Sequence, residues 1–194
     1  DKDLFDGIDT TWGRVTGGAR VGELLAQARE EYDPAEPEAI LPHLVNAYQA
    51  LTALDQAELA YKQGQLARAV ELASGIWIDA TADRWNVVPE KTFLVTLSAL
   101  RRTAPEWRWK SASISGAGEA VIAVAGELPA NRIVEKSSDL TLANDAAYSQ
   151  PPWMRTKTSG DYYENANGSP EAAEVLTATF VFETPEGVDV ALTK

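Results

Sequence analysis

The stretch LARAVELASGIWIDATA (66–82) decides the fold of this chain, because the spacing of its apolar residues changes halfway along it. Up to Gly75 the apolar residues recur every three or four positions, which predicts a helix that buries one face. Beyond Gly75 they alternate with other residues, which predicts a strand. A glycine is also typical of the position that ends a helix. The apolar positions are Leu66, Val70 and Ala73 before the glycine, and Ile76 and Ile78 after it.

Three helices are predicted up to this boundary. Apolar residues at helical spacing predict the first over residues 21–32, and it ends before Pro34 because the residue preceding a proline is disfavoured in the α region. The same spacing predicts the second helix over residues 37–54. The third is predicted to open at the capping box DQAE (55–58) and to run to Ser74.

Downstream of the boundary, short stretches of alternating residues predict antiparallel strands separated by turn residues, as in a β-sandwich. We therefore predict an α+β chain with two parts. A small N-terminal helical bundle occupies residues 1–75, and an antiparallel Ig-like β-sandwich occupies residues 76–194, with a long surface loop near 143–171. The predicted strands lie at 76–83, 92–100, 107–110, 120–125, 176–183 and 188–193.

The chain is strongly acidic, with a formal net charge of −12 over 194 residues and a pI near 4.5. This charge argues against a nucleic-acid partner, since binding to phosphates needs a basic surface. The longest apolar runs, such as AVIAVAG (120–126), are far below the ~20 residues that a membrane-spanning helix needs. We therefore expect neither a nucleic-acid partner nor a membrane span.

We also expect this chain to be a piece of a longer polypeptide. It begins at Asp1 with neither a Met nor a signal peptide. It stops at Lys194, directly after the strand-like run VDVALT (188–193), without a closing loop. The predicted sandwich is accordingly expected to be truncated at its C-terminus.

We expect no catalytic centre and no metal site within these residues. The chain has no cysteine and a single histidine, His43, within the helical stretch ILPHLVNAY (40–48). A lone histidine at helical spacing is typical of a packed or half-exposed helix residue rather than of a ligand or a general base. NANG (165–168) matches a calcium loop poorly, because the first acidic position of the loop falls on Tyr163.

Three segments resemble parts of one protein family. They are LFDGIDTTWGRVTGGARVGELL (4–25), EYDPAEPEAILPHLVNAYQALTAL (31–54) and YSQPPWMR (148–155). Each resembles the long bacterial PIG-L (LmbE-like) deacetylases, which are homologues of N-acetylglucosaminyl deacetylases with large regions after the catalytic domain. IWIDATADRWNVVPEKTFLVTLSALRR (76–102) is similar to the opening strands of an Ig-like domain in that later region.

The departure from the family limits what the resemblance implies. The family's zinc site uses a His-Pro-Asp-Asp-Glu motif and a further downstream histidine, and this chain contains neither. The resemblance therefore implies a non-catalytic accessory region, with zinc held in the parent's own catalytic domain and no cofactor here. The implied parent hydrolyses the N-acetyl amide of a sugar or glycoconjugate, and the family analogy favours a secreted or periplasmic location.

The six tryptophans support an alternative, a carbohydrate-binding module, because exposed aromatic rings stack on the C–H faces of sugars. The candidate glycan-binding residues are Trp109, Trp153, Tyr162 and Tyr163. The competing interpretation of Trp153 is a loop anchor, and that of the strand tryptophans is burial in the core. Those strand tryptophans are Trp77, Trp85, Trp107 and Trp109. A structural spacer would bury its tryptophans, whereas a binding module would expose at least two.

Overall fold

A computed structural model describes residues 5–103, 106–116, 120–154, 157, 160 and 176–194. The described chain is an α+β protein in which a helical layer precedes two antiparallel sheets. The helices are α1 (Ala19–Glu30), α2 (Leu41–Thr52) and α3 (Ala60–Ser74), and short 3-10 turns precede each of them. The strands are β1 (Ile76–Ala82), β2 (Thr92–Arg101), β3 (Arg108–Ser115), β4 (Ala120–Glu127), β5 (Val134–Thr141), β6 (Thr177–Glu183) and β7 (Asp189–Thr193).

The strands divide between a three-stranded sheet of order β1-β2-β5 and a four-stranded sheet of order β4-β3-β6-β7. Every pairing within these sheets is antiparallel. The chain crosses from the first sheet to the second after β2 and after β5, and it returns after β4. Such crossings bring the inward faces of both sheets onto one hydrophobic core.

The core follows from alternation within the strands. Every second residue of β2 and β6 is buried, which places one apolar row of each sheet on the inside. On β3 the indole of Trp109 packs against Phe180 and Phe182, with ring centroids 5.4 and 6.2 Å away. A bulge interrupts the pairing of β3 beside Trp109, and the indole N–H donates to the carbonyl of Ser111 across it at 3.1 Å. The inward rows are Phe93, Val95, Leu97 and Ala99 on β2, and Ala178, Phe180 and Phe182 on β6.

An exposed ion pair crosses the same bulge on the outside of the sheet. The Lys110 ammonium lies 2.8 Å from an oxygen of Asp189 and 3.7 Å from one of Glu183. Its hydrogen bond to the Asp189 carboxylate raises the pKa of Lys110, and both acidic neighbours add to this electrostatically. The bulge is thus bonded on both faces of the sheet, by an indole inside and by an ammonium outside.

The helical layer joins the first sheet through a single residue. α3 ends at Ser74, and β1 begins at Ile76. Gly75 between them has φ +61°, the left-handed conformation that glycine adopts at little cost. A Cβ at this position would lie 2.5 Å from the hydroxyl of Thr103, so that side chain would have to move to accept it.

Further bonds fasten the helices to the sheets. The Gly75 carbonyl accepts a bond from the N–H of Arg102 at 3.2 Å, and the fully buried Ser74 hydroxyl accepts one from Ile76 at 3.3 Å. At the other sheet, the Tyr48 hydroxyl of α2 accepts a bond from the N–H of Ala191 on the edge strand β7, at 3.3 Å. The buried residues of helices and sheets form one continuous cluster. Together these contacts make the helical layer an integral part of the core.

The predicted elements are mostly confirmed, with four differences. The strand predicted at 107–110 extends over Arg108–Ser115, and the helix predicted over 37–54 is the 3-10 turn Pro37–Ile40 followed by α2. The third helix begins at Ala60 rather than at residue 55, because Asp55 has φ +46° and does not form the predicted cap. Strand β5, VEKSSDLT, was not predicted, since its polar sequence has no apolar alternation to signal it. The described part of the predicted 143–171 loop contains only the short 3-10 turn Pro152–Met154. No helix of the described residues is long and apolar enough to cross a membrane.

Two glycine-to-alanine changes test the joint at Gly75, and we expect them to change the free energy of unfolding in opposite directions. Gly75→Ala forces a Cβ into the left-handed region and toward Thr103, and we expect the free energy of unfolding to fall by about 1–2 kcal/mol. Gly64→Ala, in the exposed middle of α3 with no atom near the added Cβ, should raise that free energy by about 0.5–1 kcal/mol. Urea unfolding followed by circular dichroism measures both. Equal effects of the two changes would contradict this account of the joint.

The aromatic core generates a second prediction. Trp109→Ala removes an indole that is 1% exposed and leaves a cavity against Phe180, so we expect a loss of about 3–5 kcal/mol. Trp85→Ala removes the same side chain where it is 94% exposed and should change stability by less than about 0.5 kcal/mol. The same unfolding experiment compares the two. A stability loss of similar size in both variants would show that the indole of Trp109 is not part of the packed core.

Candidate functional site

The predicted glycan-binding residues do not form one platform among the described residues. Trp109 is 1% exposed, so its ring faces the core and is not available to a sugar; this part of the prediction is wrong. The reason is strand parity, since Trp109 shares the inward face of β3 with Ala112 and Ile114 once the bulge is counted. Trp153 is 40% exposed in the 3-10 turn Pro152–Met154. Tyr162 and Tyr163 lie outside the described residues.

Burial of the strand tryptophans was predicted correctly for two of the four. Trp107 and Trp109 are buried, whereas Trp77 is 42% exposed and Trp85 is 94% exposed. Trp77 lies between the inward residues Ile76 and Ile78, so alternation places its ring on the outer face of β1. The same alternation is present in the sequence and predicts that the side chain of Trp77 points away from the core. Trp85 lies in the connection between β1 and β2, beyond the end of both strands.

Trp77 belongs to a polar outer face of the first sheet, which we call the hydroxyl face. Cross-strand pairs bond through their side chains there: Thr96 with Ser137 at 3.0 Å, and Thr92 with Thr141 at 2.8 Å. Ser98 donates to the carboxylate of Glu135 at 3.5 Å. The residues of the hydroxyl face are Trp77, Asp79, Thr81, Thr92, Leu94, Thr96, Ser98, Leu100, Glu135, Ser137, Asp139 and Thr141.

The hydroxyl face has the chemistry that sugars require. Hydroxyls and the carboxylates of Asp79, Glu135 and Asp139 provide donors and acceptors in register across three strands. Trp77, opposite Leu100 at one end of the face, provides an apolar ring. The outer face of this sheet therefore presents hydrogen-bonding groups together with one exposed indole, and no polar side chain described there is buried without a partner.

Trp85 lies at the opposite end of the same sheet from Trp77. Six residues of extended chain from Trp77 to Asp83 span about 20 Å, so the two rings cannot stack on the same sugar unit.

The carboxylate of Asp83 holds the base of the Trp85 loop by accepting hydrogen bonds from the N–H of Leu94 at 3.1 Å and from the Arg84 guanidinium at 3.0 Å. The bond to Arg84, followed by that to the backbone of Leu94, lowers the pKa of Asp83.

A second candidate site lies where the helical layer meets the four-stranded sheet, and we call it the junction groove. Its volume is about 320 Å³. The first turn of α2 and the 3-10 turn before it form one wall, and the turn between β6 and β7 forms the other. The groove is lined by Glu38, Ala39, Leu41, Pro42, Val45, Asn46, Trp107, Glu186 and Val188.

The junction groove combines an apolar floor with an acidic rim. Leu41, Val45 and Trp107 are buried. Val188, directly before β7, is half-buried. The charged residues of the lining are Glu38 and Glu186, and no basic residue lines the groove. Neither carboxylate has an ion-pair partner among the described residues. The sequence does not signal this groove, since its walls come from segments more than 130 residues apart.

The described residues contain no group of three or more His, Cys, Asp or Glu side chains placed to hold a metal ion. His43 lies on α2 with its side chain 23% exposed, and its Nε2 is 2.9 Å from an oxygen of Glu31. It is therefore a partly packed helix residue paired with one carboxylate, as its helical spacing predicts.

The comparisons with known proteins identify no family. No protein-family model matches the chain, and no curated protein matches it in sequence. Among solved structures, the X-ray structure of Northeast Structural Genomics Consortium target SoR45 has a TM-score of 0.35 and 10% identity, and the match covers 61% of this chain and 81% of that chain. The sporulation control protein Spo0M from Bacillus subtilis has a TM-score of 0.33 and 11% identity, over 62% of this chain and 47% of that chain. Likenesses at these TM-scores carry no argument about fold or function.

Proposed function

We propose that this chain is a non-catalytic accessory region of a PIG-L-type zinc-dependent deacetylase. The support is the order of the three resembling segments, 4–25, 31–54 and 148–155, in a chain that lacks the His-Pro-Asp-Asp-Glu motif. The parent would hydrolyse the N-acetyl amide of a sugar or glycoconjugate with zinc in its catalytic domain. The catalytic domain is then the main partner of this region.

The continuous core supports a positioning role for such a region. Because helices and sheets share one buried cluster, a domain joined to the helical layer would be held in a defined orientation to the sheets. We further propose that the β region is an Ig-like sandwich. Among the described residues, seven strands form two antiparallel sheets with crossings between them, as is typical of that fold, although β4 pairs with β3 rather than extending the first sheet.

The test of the accessory role is an acetate-release assay. We expect the isolated 194-residue chain with added Zn²⁺ to release no acetate from di-N-acetylchitobiose, and the parent polypeptide to release it under the same conditions. A parent in which the first histidine of the His-Pro-Asp-Asp-Glu motif is replaced serves as the inactive control. Acetate release by the isolated chain, or a parent without that motif, would overturn the proposal.

The alternative function is carbohydrate binding, and one observation favours it. Three tryptophans, Trp77, Trp85 and Trp153, are at least 40% exposed, whereas a purely structural spacer would bury them. The hydroxyl face is the best candidate surface, because Trp77 shares one face of the sheet with bonded hydroxyls and three carboxylates. The predicted residue Trp109 has no part in this site.

Tryptophan fluorescence titrated with chitotetraose tests the alternative. If the hydroxyl face binds glycan, millimolar ligand should quench the fluorescence saturably, and Trp77→Ala should weaken binding about tenfold by removing the stacking surface. Trp85→Ala is the matched control, since it removes an exposed indole at the far end of the sheet and should leave the affinity unchanged. No quenching, or quenching lost only in Trp85→Ala, would exclude the hydroxyl face.

A further inference from the structure

We propose that the junction groove binds an extended polypeptide segment in which a lysine or arginine lies next to an aliphatic residue. The groove is built for both halves of such a segment. Leu41, Val45 and Val188 provide apolar surface for an aliphatic side chain, and the carboxylates of Glu38 and Glu186, which line the same groove, can pair with a cation. The volume of about 320 Å³ is at the lower end of the range for ligand sites, which suits one or two side chains.

The charge of the site selects a cation. Glu38 lies in the turn before α2, and Glu186 lies in the turn between β6 and β7, so the two carboxylates come from opposite walls. The N-terminus of α2 carries a partial positive charge here, which the carboxylate of Glu38 offsets. Pro42 also removes one of the free N–H groups that would attract an anion. The formal charge of −12 strengthens the attraction for a basic segment over a distance.

The same charge argues against a second copy of this chain as the occupant. Two copies would bring together surfaces of equal sign, and the groove has no basic residue for the carboxylates of a neighbour. A small free cation would use the rim and leave the apolar floor uncovered. A segment with both features covers floor and rim together, and we therefore assign the groove to a polypeptide.

We identify this polypeptide with the parent's catalytic domain, and that identification rests on the proposed function. The preference of the groove for a basic and aliphatic segment does not depend on it. The groove lies on the helical layer, which contains two of the three segments that resemble the family. Failure of the acetate-release assay would leave the binding preference intact. Failure of peptide binding would leave the accessory role intact but place the domain contact elsewhere.

The experiment is methyl NMR of the full 194-residue chain titrated with the capped peptide acetyl-Leu-Arg-Leu-amide. We expect saturable shifts of the methyl groups of Val45 and Val188, which line the groove. The matched peptide acetyl-Leu-Gln-Leu-amide should bind about fivefold more weakly, because it lacks the cation. Raising the salt concentration should reduce this difference, since exposed charges are screened.

Variants locate the binding within the molecule. Glu38→Gln combined with Glu186→Gln should weaken the arginine peptide about fivefold and leave the glutamine peptide unchanged. Glu58→Gln is the matched charge control, since Glu58 precedes α3 at the other end of the helical layer, about 18 Å along α2. Circular dichroism checks that each variant is folded.

Three outcomes would overturn the proposal. Equal affinity for the two peptides would show that the rim selects no cation. Equally tight binding of n-butylammonium would assign the groove to a small cation rather than to a polypeptide. Shifts of Val45 and Val188 on dilution of the protein alone would assign the groove to a second copy of the chain.

Discussion

The direct joint between helix α3 and strand β1 is the constraint on which the rest of the structure depends. Gly75 is the single residue between the two elements, and its left-handed φ of +61° redirects the chain without a loop. The direction of α3 therefore sets the direction of β1, and the register of β1 with β2 follows from Ile76 opposite Arg101. A loop of several residues would remove this constraint on the angle between α3 and β1.

Burial then fixes the second sheet against the first. Trp109, Phe180 and Phe182 fill the inside of the four-stranded sheet, and their rings require the inward row of β2 as a partner surface. The indole N–H of Trp109 donates to the backbone carbonyl of Ser111 across the bulge, so the polar atom of this buried ring also has a partner. One side chain thus provides both apolar packing and a polar bond within the core.

The two candidate surfaces differ in the physical interaction that each offers. The hydroxyl face presents bonded hydroxyls with one exposed indole, which suits a ligand with many polar groups. The junction groove presents an apolar floor below two carboxylates, which suits a basic and aliphatic segment. The two surfaces do not overlap, because the hydroxyl face lies on the three-stranded sheet and the junction groove borders the turn between β6 and β7 of the four-stranded sheet.

The sequence by itself determined where the elements are and which rows are buried. Alternation in β2 and helical spacing in α3 predict the inward residues, because burial of one face requires those periods. It did not predict β5, whose polar residues contain no such signal, and it left open whether Trp109 is buried or exposed, which depends on the neighbouring strands. Only the tertiary structure brings Glu38 and Glu186 to one groove, because that proximity comes from packing between elements distant in sequence and not from any local pattern.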